Sequence, residues 1–121
     1  MRYGELDRLN FRTTIMKNKD VIMVRIYLTE GDGQLHELMT LLHDWEQLKG
    51  ATVFRGISGF GDSGKILGAE LMDLSLNMPV VVEFFDSPEK IEKIIDDLSR
   101  FLKPEHIVSW PANTNAFEPS L

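Results

Sequence analysis

The chain has 121 residues, with 13 Lys and Arg, 19 Asp and Glu, no Cys and 43% hydrophobic residues. This length and composition predict one globular domain that needs neither disulfide bonds nor a thiolate metal site. The formal charge of −6 argues against a general nucleic-acid or anionic-membrane binder, because those surfaces depend on clustered Lys and Arg. Since no apolar run reaches the length of a signal peptide core or a membrane span, the predicted location is the cytoplasm.

The first half of the chain predicts an extension, a strand and a helix. Residues 1–20 hold isolated apolar residues in a charged background, which is typical of a loosely held N-terminal extension. Residues 21–28 (VIMVRIYL) are apolar and β-branched and predict the first strand. Apolar residues at helical spacing then predict an amphipathic helix from Gln34 to Lys49, which ends before Gly50. This spacing includes Trp45, for which the core or an interface is predicted.

The second half predicts two more strands and a well-defined helix. Residues 51–57 predict a strand that leads into a glycine-rich stretch, and residues 79–86 (PVVVEFFD) predict another. Ser87 followed by Pro88 is typical of a helix N-terminus, and the apolar residues beyond them recur at helical spacing. The sequence therefore predicts a second amphipathic helix directly after the third strand.

The remaining residues complete a fold of about ninety residues. Residues 106–110 predict a short last strand and residues 111–121 a C-terminal tail, so the folded domain spans residues 21–110. One architecture that fits this order is an α+β ferredoxin-like βαββαβ sandwich, with an antiparallel sheet covered on one face by two helices. The other adds a third helix between Lys65 and Asn77 in a small parallel α/β sheet, because the apolar residues there keep both helical and alternating spacing.

The two faces of the predicted first and third strands differ in composition. Alternate residues of each strand form a wholly apolar face suited to the helices. The opposite faces are also largely apolar, but each carries one charge, Arg25 or Glu83. We expect these two residues to pair within or close to a subunit interface that also contains Tyr27 and Phe85.

Six of the nine glycines fall within residues 50–68, and the central segment GFGDSGK at residues 59–65 matches two phosphate-binding patterns. It satisfies GxGxxG, but the chain is too short for a complete dinucleotide-binding fold. It also approaches GxxxxGK[ST], but Ile66 stands where a hydroxyl should bind Mg²⁺. A third interpretation is a glycine-rich hairpin connection that binds no ligand.

Several strings taken together resemble the PII-like proteins of domain-of-unknown-function family 190. They are VRIYLTE (24–30), GATVFRGI (50–57), GFG (59–61) and LNMPVVVE (76–83), and the likeness extends over residues 21–110. The resemblance implies a ferredoxin-like fold assembled as a homotrimer, and it disfavours the dinucleotide-binding interpretation.

The same resemblance implies a function. Members of the wider PII superfamily bind small effectors, commonly adenine nucleotides, in clefts between subunits. They then regulate a transporter, channel or enzyme through a mobile T-loop. The implied ligand-binding residues are Gly59, Phe60, Gly61, Asp62, Ser63 and Lys65, with Arg55 as a further positive charge, and the implied T-loop is residues 62–78.

Two other functions are compatible with the sequence. Arg55 with the glycine-rich loop is the one candidate constellation for a small phosphate-ester or acyl-phosphate hydrolase. The alternative to an anion-binding role for Arg55 is a salt bridge across the sheet. No Ser-His or paired-carboxylate arrangement is visible in the sequence, so a protein without enzymatic activity is predicted. The remaining possibility is a trimer of the metal-tolerance type that binds no effector.

Overall fold

The structure, a computed structural model, describes residues 14–61, 64, 66–68 and 78–119. It contains six strands and two α-helices, with a 3-10 turn at Glu30–Asp32 and a π-helical turn at Leu41–Trp45. The strands are β1 Thr14–Thr29, β2 Thr52–Arg55, β3 Ser58–Gly59, β4 Leu67–Gly68, β5 Pro79–Asp86 and β6 Ile107–Pro119. The helices are α1 Gln34–Thr40 and α2 Pro88–Leu98.

Four of the strands form one antiparallel sheet in the order β2-β5-β1-β6. This is the strand order of a ferredoxin-like sandwich, so the predicted α+β fold is confirmed. The parallel α/β alternative is wrong, because every pair in the sheet is antiparallel. β3 and β4 form a separate two-residue ladder, with Ser58 opposite Gly68 and Gly59 opposite Leu67.

The core lies between the sheet and the helices, as the alternation of apolar residues predicted. Even-numbered residues from Val24 to Leu28 of β1 and from Val80 to Phe84 of β5 point into it, and both helices contribute the apolar stripes expected from their spacing. The buried core residues are Val24, Ile26, Leu28, Leu38, Leu42, Leu48, Val80, Val82, Phe84, Ile91, Ile94, Leu98 and Leu102. All thirteen belong to one cluster, so the two helices and the sheet share a single core.

The second helix begins where the sequence predicted. The Ser87 hydroxyl accepts a hydrogen bond from the Lys90 backbone amide at 3.3 Å, and Pro88 occupies the first helical position. Ser87 thereby satisfies one of the amides that a helix N-terminus leaves unpaired. Within the described ranges, neither helix is long and apolar enough to cross a membrane.

The first helix is shorter than the predicted segment from Gln34 to Lys49. Regular α-helix ends at Thr40 and the chain continues through the π-helical turn. A π turn holds more residues than an α turn, so the side chains beyond it are rotated relative to the apolar stripe. Trp45 is consequently 76% exposed and does not join the core, whereas Glu46 is buried.

Both ends of the described chain are more ordered in the structure than the sequence predicted. β1 begins at Thr14, and β6 continues to Pro119, in register throughout. The predicted extension is therefore wrong for residues 14–20, and the predicted tail is wrong for residues 111–119. The sequences of residues 14–20 (TIMKNKD) and 111–119 (PANTNAFEP) are largely polar, so no apolar alternation indicated the strands. Residues 1–13 and 120–121 lie outside the described residues.

A buried carboxyl group connects the end of the first helical segment to α2. Glu46 is only 7% exposed, and its Oε1 lies 3.2 Å from Lys93 Nζ, which also lies 2.9 Å from Asp97 Oδ2. Burial raises the pKa of Glu46 above its ordinary 4.5, and hydrogen bonding to Asp97 adds to this, although Lys93 opposes both effects. Hydrogen bonding to Lys93 and to Glu46 lowers the pKa of Asp97.

The raised pKa of Glu46 predicts a pH-dependent effect of Glu46→Gln. A carboxyl group with a raised pKa contributes stability below its unfolded pKa, and this stability is lost as the pH rises through the folded pKa. Asp97 has the opposite dependence: its contribution is lost as the pH falls through its lowered pKa. Because glutamine resembles the protonated form of Glu46, we expect the variant to gain stability relative to wild type between pH 4 and pH 7.

Urea unfolding at fixed protein concentration measures this gain. Glu92→Gln, on the exposed side of α2, is the matched control and should show no such gain. A stability difference between Glu46→Gln and wild type that is equal at pH 4 and pH 7 would contradict the assigned burial of this carboxyl group.

Candidate functional site

The sheet surface opposite the helices, here called the outer face, is rich in apolar side chains. Odd-numbered residues of β1 and β5 share it with even-numbered residues of β2 and β6, because paired residues of an antiparallel ladder point to the same side. Its large apolar side chains, each between 37% and 51% exposed, are Tyr27, Phe54, Phe85, Val108 and Trp110. A contiguous patch of this kind is typical of an interaction surface.

One ion pair lies in the middle of the outer face. Arg25 and Glu83 are opposite each other in the ladder, and Arg25 Nε lies 3.1 Å from Glu83 Oε2, so the predicted pairing is present. Hydrogen bonding to Tyr27 and to Glu83 raises the pKa of Arg25, and its guanidinium carbon lies 5.6 Å from the centre of the Trp110 ring. In a single chain the two side chains remain 45% and 22% exposed, and the interface around them stays a prediction.

A groove of about 590 Å³ opens on the outer face where β5 ends and β2 begins. Met23, Phe54 and Phe85 supply large apolar side chains to its lining. This wide, partly apolar groove has the dimensions of a small-molecule site. The complete lining is Lys19, Val21, Met23, Lys49, Gly50, Ala51, Thr52, Phe54, Glu83, Phe84, Phe85, Asp86, Ser87 and Thr114.

The groove is locally favourable to an anion although the chain is acidic. Its two carboxylates are both paired, Glu83 with Arg25, and Asp86 with Lys90 at 3.4 Å. Lys19 and Lys49 also line it, and neither forms an ion pair with a carboxylate among the residues that the structure describes. The uncompensated positive charge of the groove therefore comes from these two lysines.

The predicted glycine site lies on the short β3–β4 ribbon. Gly59 belongs to β3, Phe60 is 75% exposed, and Gly61 is exposed. The Gly64 amide donates a hydrogen bond to the Gly61 carbonyl at 2.8 Å, and Gly64 has a φ of 74°, which favours glycine. Three further predicted ligand residues, Asp62, Ser63 and Lys65, lie outside the described residues.

Within one chain, the glycine site and the groove lie at opposite ends of β2. Thr52 lines the groove, whereas Gly56, beyond the other end of the strand, donates its amide to the Pro79 carbonyl at 2.7 Å. A Cβ at Gly56 would lie 2.9 Å from Pro79 Cγ, so this glycine allows the chain to turn closely past the start of β5. A single chain does not bring the glycine site to the groove.

Arg55 forms an ion pair with Glu30, in the turn that follows β1. Of the two predicted alternatives for Arg55, anion binding and a salt bridge, the structure therefore shows a salt bridge. A guanidinium that already neutralises a carboxylate is poorly placed to serve as the phosphate-binding cation of a hydrolase. Among the described residues, no three His, Asp or Glu side chains come together in a way that could hold a metal ion.

No pattern in the sequence predicted the groove itself. Gly50 and Thr52 belong to the string GATVFRGI, but no role was predicted for either, and Lys19 lies in the segment predicted to be a loose extension. The sequence feature that could have indicated the groove is Gly50, the glycine before β2. A Cβ at Gly50 would meet no atom within 4 Å, so a side chain there would enter open space beside the groove.

Comparison with known sequences places this chain in a family. The sequence profile of the DUF190 family, described as an uncharacterized ACR, matches residues 21–114. The chain is 34% identical over 91 residues to a UPF0166 protein of Methanocaldococcus jannaschii, across 71% of this chain and 82% of that protein. A UPF0166 protein of Aquifex aeolicus is 43% identical over 51 residues, which cover 42% of this chain and 49% of the relative.

The fold is also similar to solved structures. CPII, a nitrogen regulatory PII-like protein from Thiomonas intermedia K12 bound to ADP, AMP and bicarbonate, has a TM-score of 0.60 at 20% identity, over 83% of this chain and 91% of CPII. The apo form of CPII has a TM-score of 0.52 at 16% identity, over 86% of this chain and 99% of that structure. At these identities the likeness concerns the fold, and it agrees with the family match. The chain belongs to the DUF190 family, and its fold is similar to that of PII-like proteins.

Proposed function

We propose that this chain is a PII-like regulatory protein that assembles as a homotrimer and binds a small effector in clefts between its subunits. The observation that carries the proposal is the outer face, where five large apolar side chains surround one ion pair. Contact between the outer faces of three copies would remove this surface from water, which is the main favourable contribution to subunit association.

Each cleft combines the groove of one copy with the glycine site of its neighbour. The two features lie at opposite ends of β2 in one chain, so a second copy is needed to bring them together. Met23, Phe54 and Phe85 suit the flat face of a heterocyclic base. Lys19 and Lys49 supply positive charge for an anionic group, and Phe60 and Gly61, which are both exposed, offer their backbone amides as further hydrogen-bond donors.

An adenine nucleotide is the effector class that fits this cleft. It carries both the flat base and the negative charge that the groove would accommodate. CPII, which shares the fold, has been seen with ADP and AMP. The position of the cleft also indicates how the effector acts. Residues 62–78, the T-loop implied by the PII resemblance, follow directly on the glycine site, so binding of the effector changes the conformation of this arm. This arm then engages a partner protein such as a membrane transporter or channel.

Calorimetric titration with ADP tests the cleft. Wild type is compared with Gly50→Val, which adds a side chain beside the groove, and Gly61→Val, which adds one at the glycine site. A Cβ at either position meets no atom within 4 Å, so both variants should fold normally. We expect each variant to bind ADP about tenfold or more weakly than wild type, a loss of about 1.4 kcal/mol or more.

Lys103→Gln is the control, because Lys103 is exposed and does not line the groove. It should bind ADP like wild type. Equal affinity of wild type, Gly50→Val and Gly61→Val would show that the cleft is wrongly assigned.

A further inference from the structure

The sheet has an open edge at β2. Along an antiparallel ladder, hydrogen-bonded residue pairs alternate with pairs that share no hydrogen bond. The Gly56 amide donates to the Pro79 carbonyl, so the even-numbered residues of β2 are the ones that bond to β5. Thr52 and Phe54 therefore direct their backbone groups toward β5. Val53 and Arg55 direct theirs away from the sheet, where no strand of the described chain pairs with them.

Among the described strands, β6 forms the other edge of the sheet. The hydrogen bond from the Tyr27 amide to the His106 carbonyl shows that even-numbered residues of β6 bond to β1, whereas odd-numbered residues point outward. Pro111 and Pro119 both occupy outward positions, so their missing N–H groups do not interrupt the ladder. Between these prolines lies an open window with three outward residues, Asn113, Asn115 and Phe117.

The window belongs to a part of β6 that extends beyond the sheet. β5 ends at Asp86, opposite Ile22, whereas β1 and β6 continue as a two-stranded ribbon to Thr14 and Pro119. A two-stranded ribbon is marginally stable in water, and an unblocked edge is a ready template for another strand. The ribbon also continues the outer face, since Lys19 and its partner Thr114 both line the groove.

We propose that the window of β6 in one copy pairs with the β2 edge of the next copy, so that the sheet continues across the subunit boundary. This inference rests on the proposed homotrimer. The two edges expose short stretches of similar length and lie on opposite sides of the same sheet. Pairing them head to tail uses both edges in every copy and can close into a ring, whereas pairing β6 with β6 would give a two-fold dimer and leave β2 open.

This pairing would also bear on the effector cleft. β2 contributes Thr52 and Phe54 to the groove, and its outward edge is the side on which the neighbouring ribbon would lie. The neighbour's β6 would then flank the groove and fix the relative position of the two copies that form the cleft.

Residue-resolved amide hydrogen exchange on the wild-type protein tests the pairing without a substitution. The outward amides of Val53, Arg55, Asn113, Asn115 and Phe117 have no strand partner in the part of a single chain that the structure describes. We expect them to be protected at least about 100-fold, as amides in stable strands are. Exchange at the rate of an unstructured peptide at all five positions would overturn the inference.

A pair of variants at Asn115 gives a second test by light scattering. Asn115→Pro removes the outward N–H without removing a bond to β1, whereas Asn115→Ala keeps it. We expect Asn115→Pro to dissociate on dilution at a concentration at least about tenfold higher than Asn115→Ala. Equal dissociation of the two variants would refute the edge pairing. If wild type is itself a single chain, the proposed homotrimer fails as well. If it is a trimer with freely exchanging edge amides, the pairing alone fails.

Discussion

Replacing Phe85 by Asp is expected to convert the proposed trimer into single folded chains. Phe85 lies on the outer face and is 49% exposed in one chain, so a polar side chain there should leave the core intact. In the proposed trimer the contact between subunits would remove this position from water, and an unpaired buried carboxylate costs several kcal/mol in each subunit. Light scattering coupled to size-exclusion chromatography would report the loss of mass, and circular dichroism the retained fold.

Trp45→Asp is the matched control for this experiment. Trp45 is also a large exposed aromatic residue, at 76%, but it lies on the π-helical turn, away from the outer face. We expect this variant to keep the mass of wild type. If Phe85→Asp remained a trimer, or if Trp45→Asp dissociated just as readily, the outer face would not be the interface.

Removing Arg25 is expected to have the second largest effect. In a single chain its pair with Glu83 is partly exposed, and such pairs contribute about 0 to 1 kcal/mol. If the outer faces meet in a trimer, Arg25→Ala leaves Glu83 buried without its partner, at a cost of about 3 to 5 kcal/mol. Urea unfolding of the variant, at the protein concentration used for wild type, separates these two ranges.

A double-mutant cycle shows whether the cost comes from the unpaired charge. We expect Arg25→Ala combined with Glu83→Ala to be clearly less destabilised than the sum of the two single variants, because neither charge is then left alone. Additive losses, or a loss below about 1 kcal/mol for Arg25→Ala, would place the pair at a solvent-exposed surface. An unchanged trimer mass for Arg25→Ala would also contradict the interface.

The parts of the fold that the sequence predicted well are those with a regular apolar repeat. α2 has a capping serine, a proline at its first position and an unbroken apolar stripe, and it begins at the predicted residue. The faces of β1 and β5 followed from simple alternation, and the Arg25–Glu83 pair followed from those faces. Each of these features depends either on residues that are close in sequence or on β1 and β5, which are adjacent strands in any ferredoxin-like sheet.

Other features had no local signal. The π-helical turn changes which residues face the core, and nothing in the spacing before Trp45 indicated it. The ribbon at the ends of β1 and β6 is held by backbone hydrogen bonds between segments about a hundred residues apart, so side-chain patterning could not reveal it. The groove combines residues of four strands with the segment before β2. Its two lysines, Lys19 and Lys49, which form no ion pair within the described part of the chain, become neighbours of one ligand site only through the topology.

Native mass spectrometry of the wild-type protein with added ADP tests the central claim most directly, because one spectrum reports both the number of chains and the number of bound nucleotides. The proposed function predicts particles of three chains that carry up to three ADP molecules, and no ADP on single chains. A spectrum of single chains, or of single chains that bind ADP as well as any larger particle does, would contradict an effector cleft built between subunits.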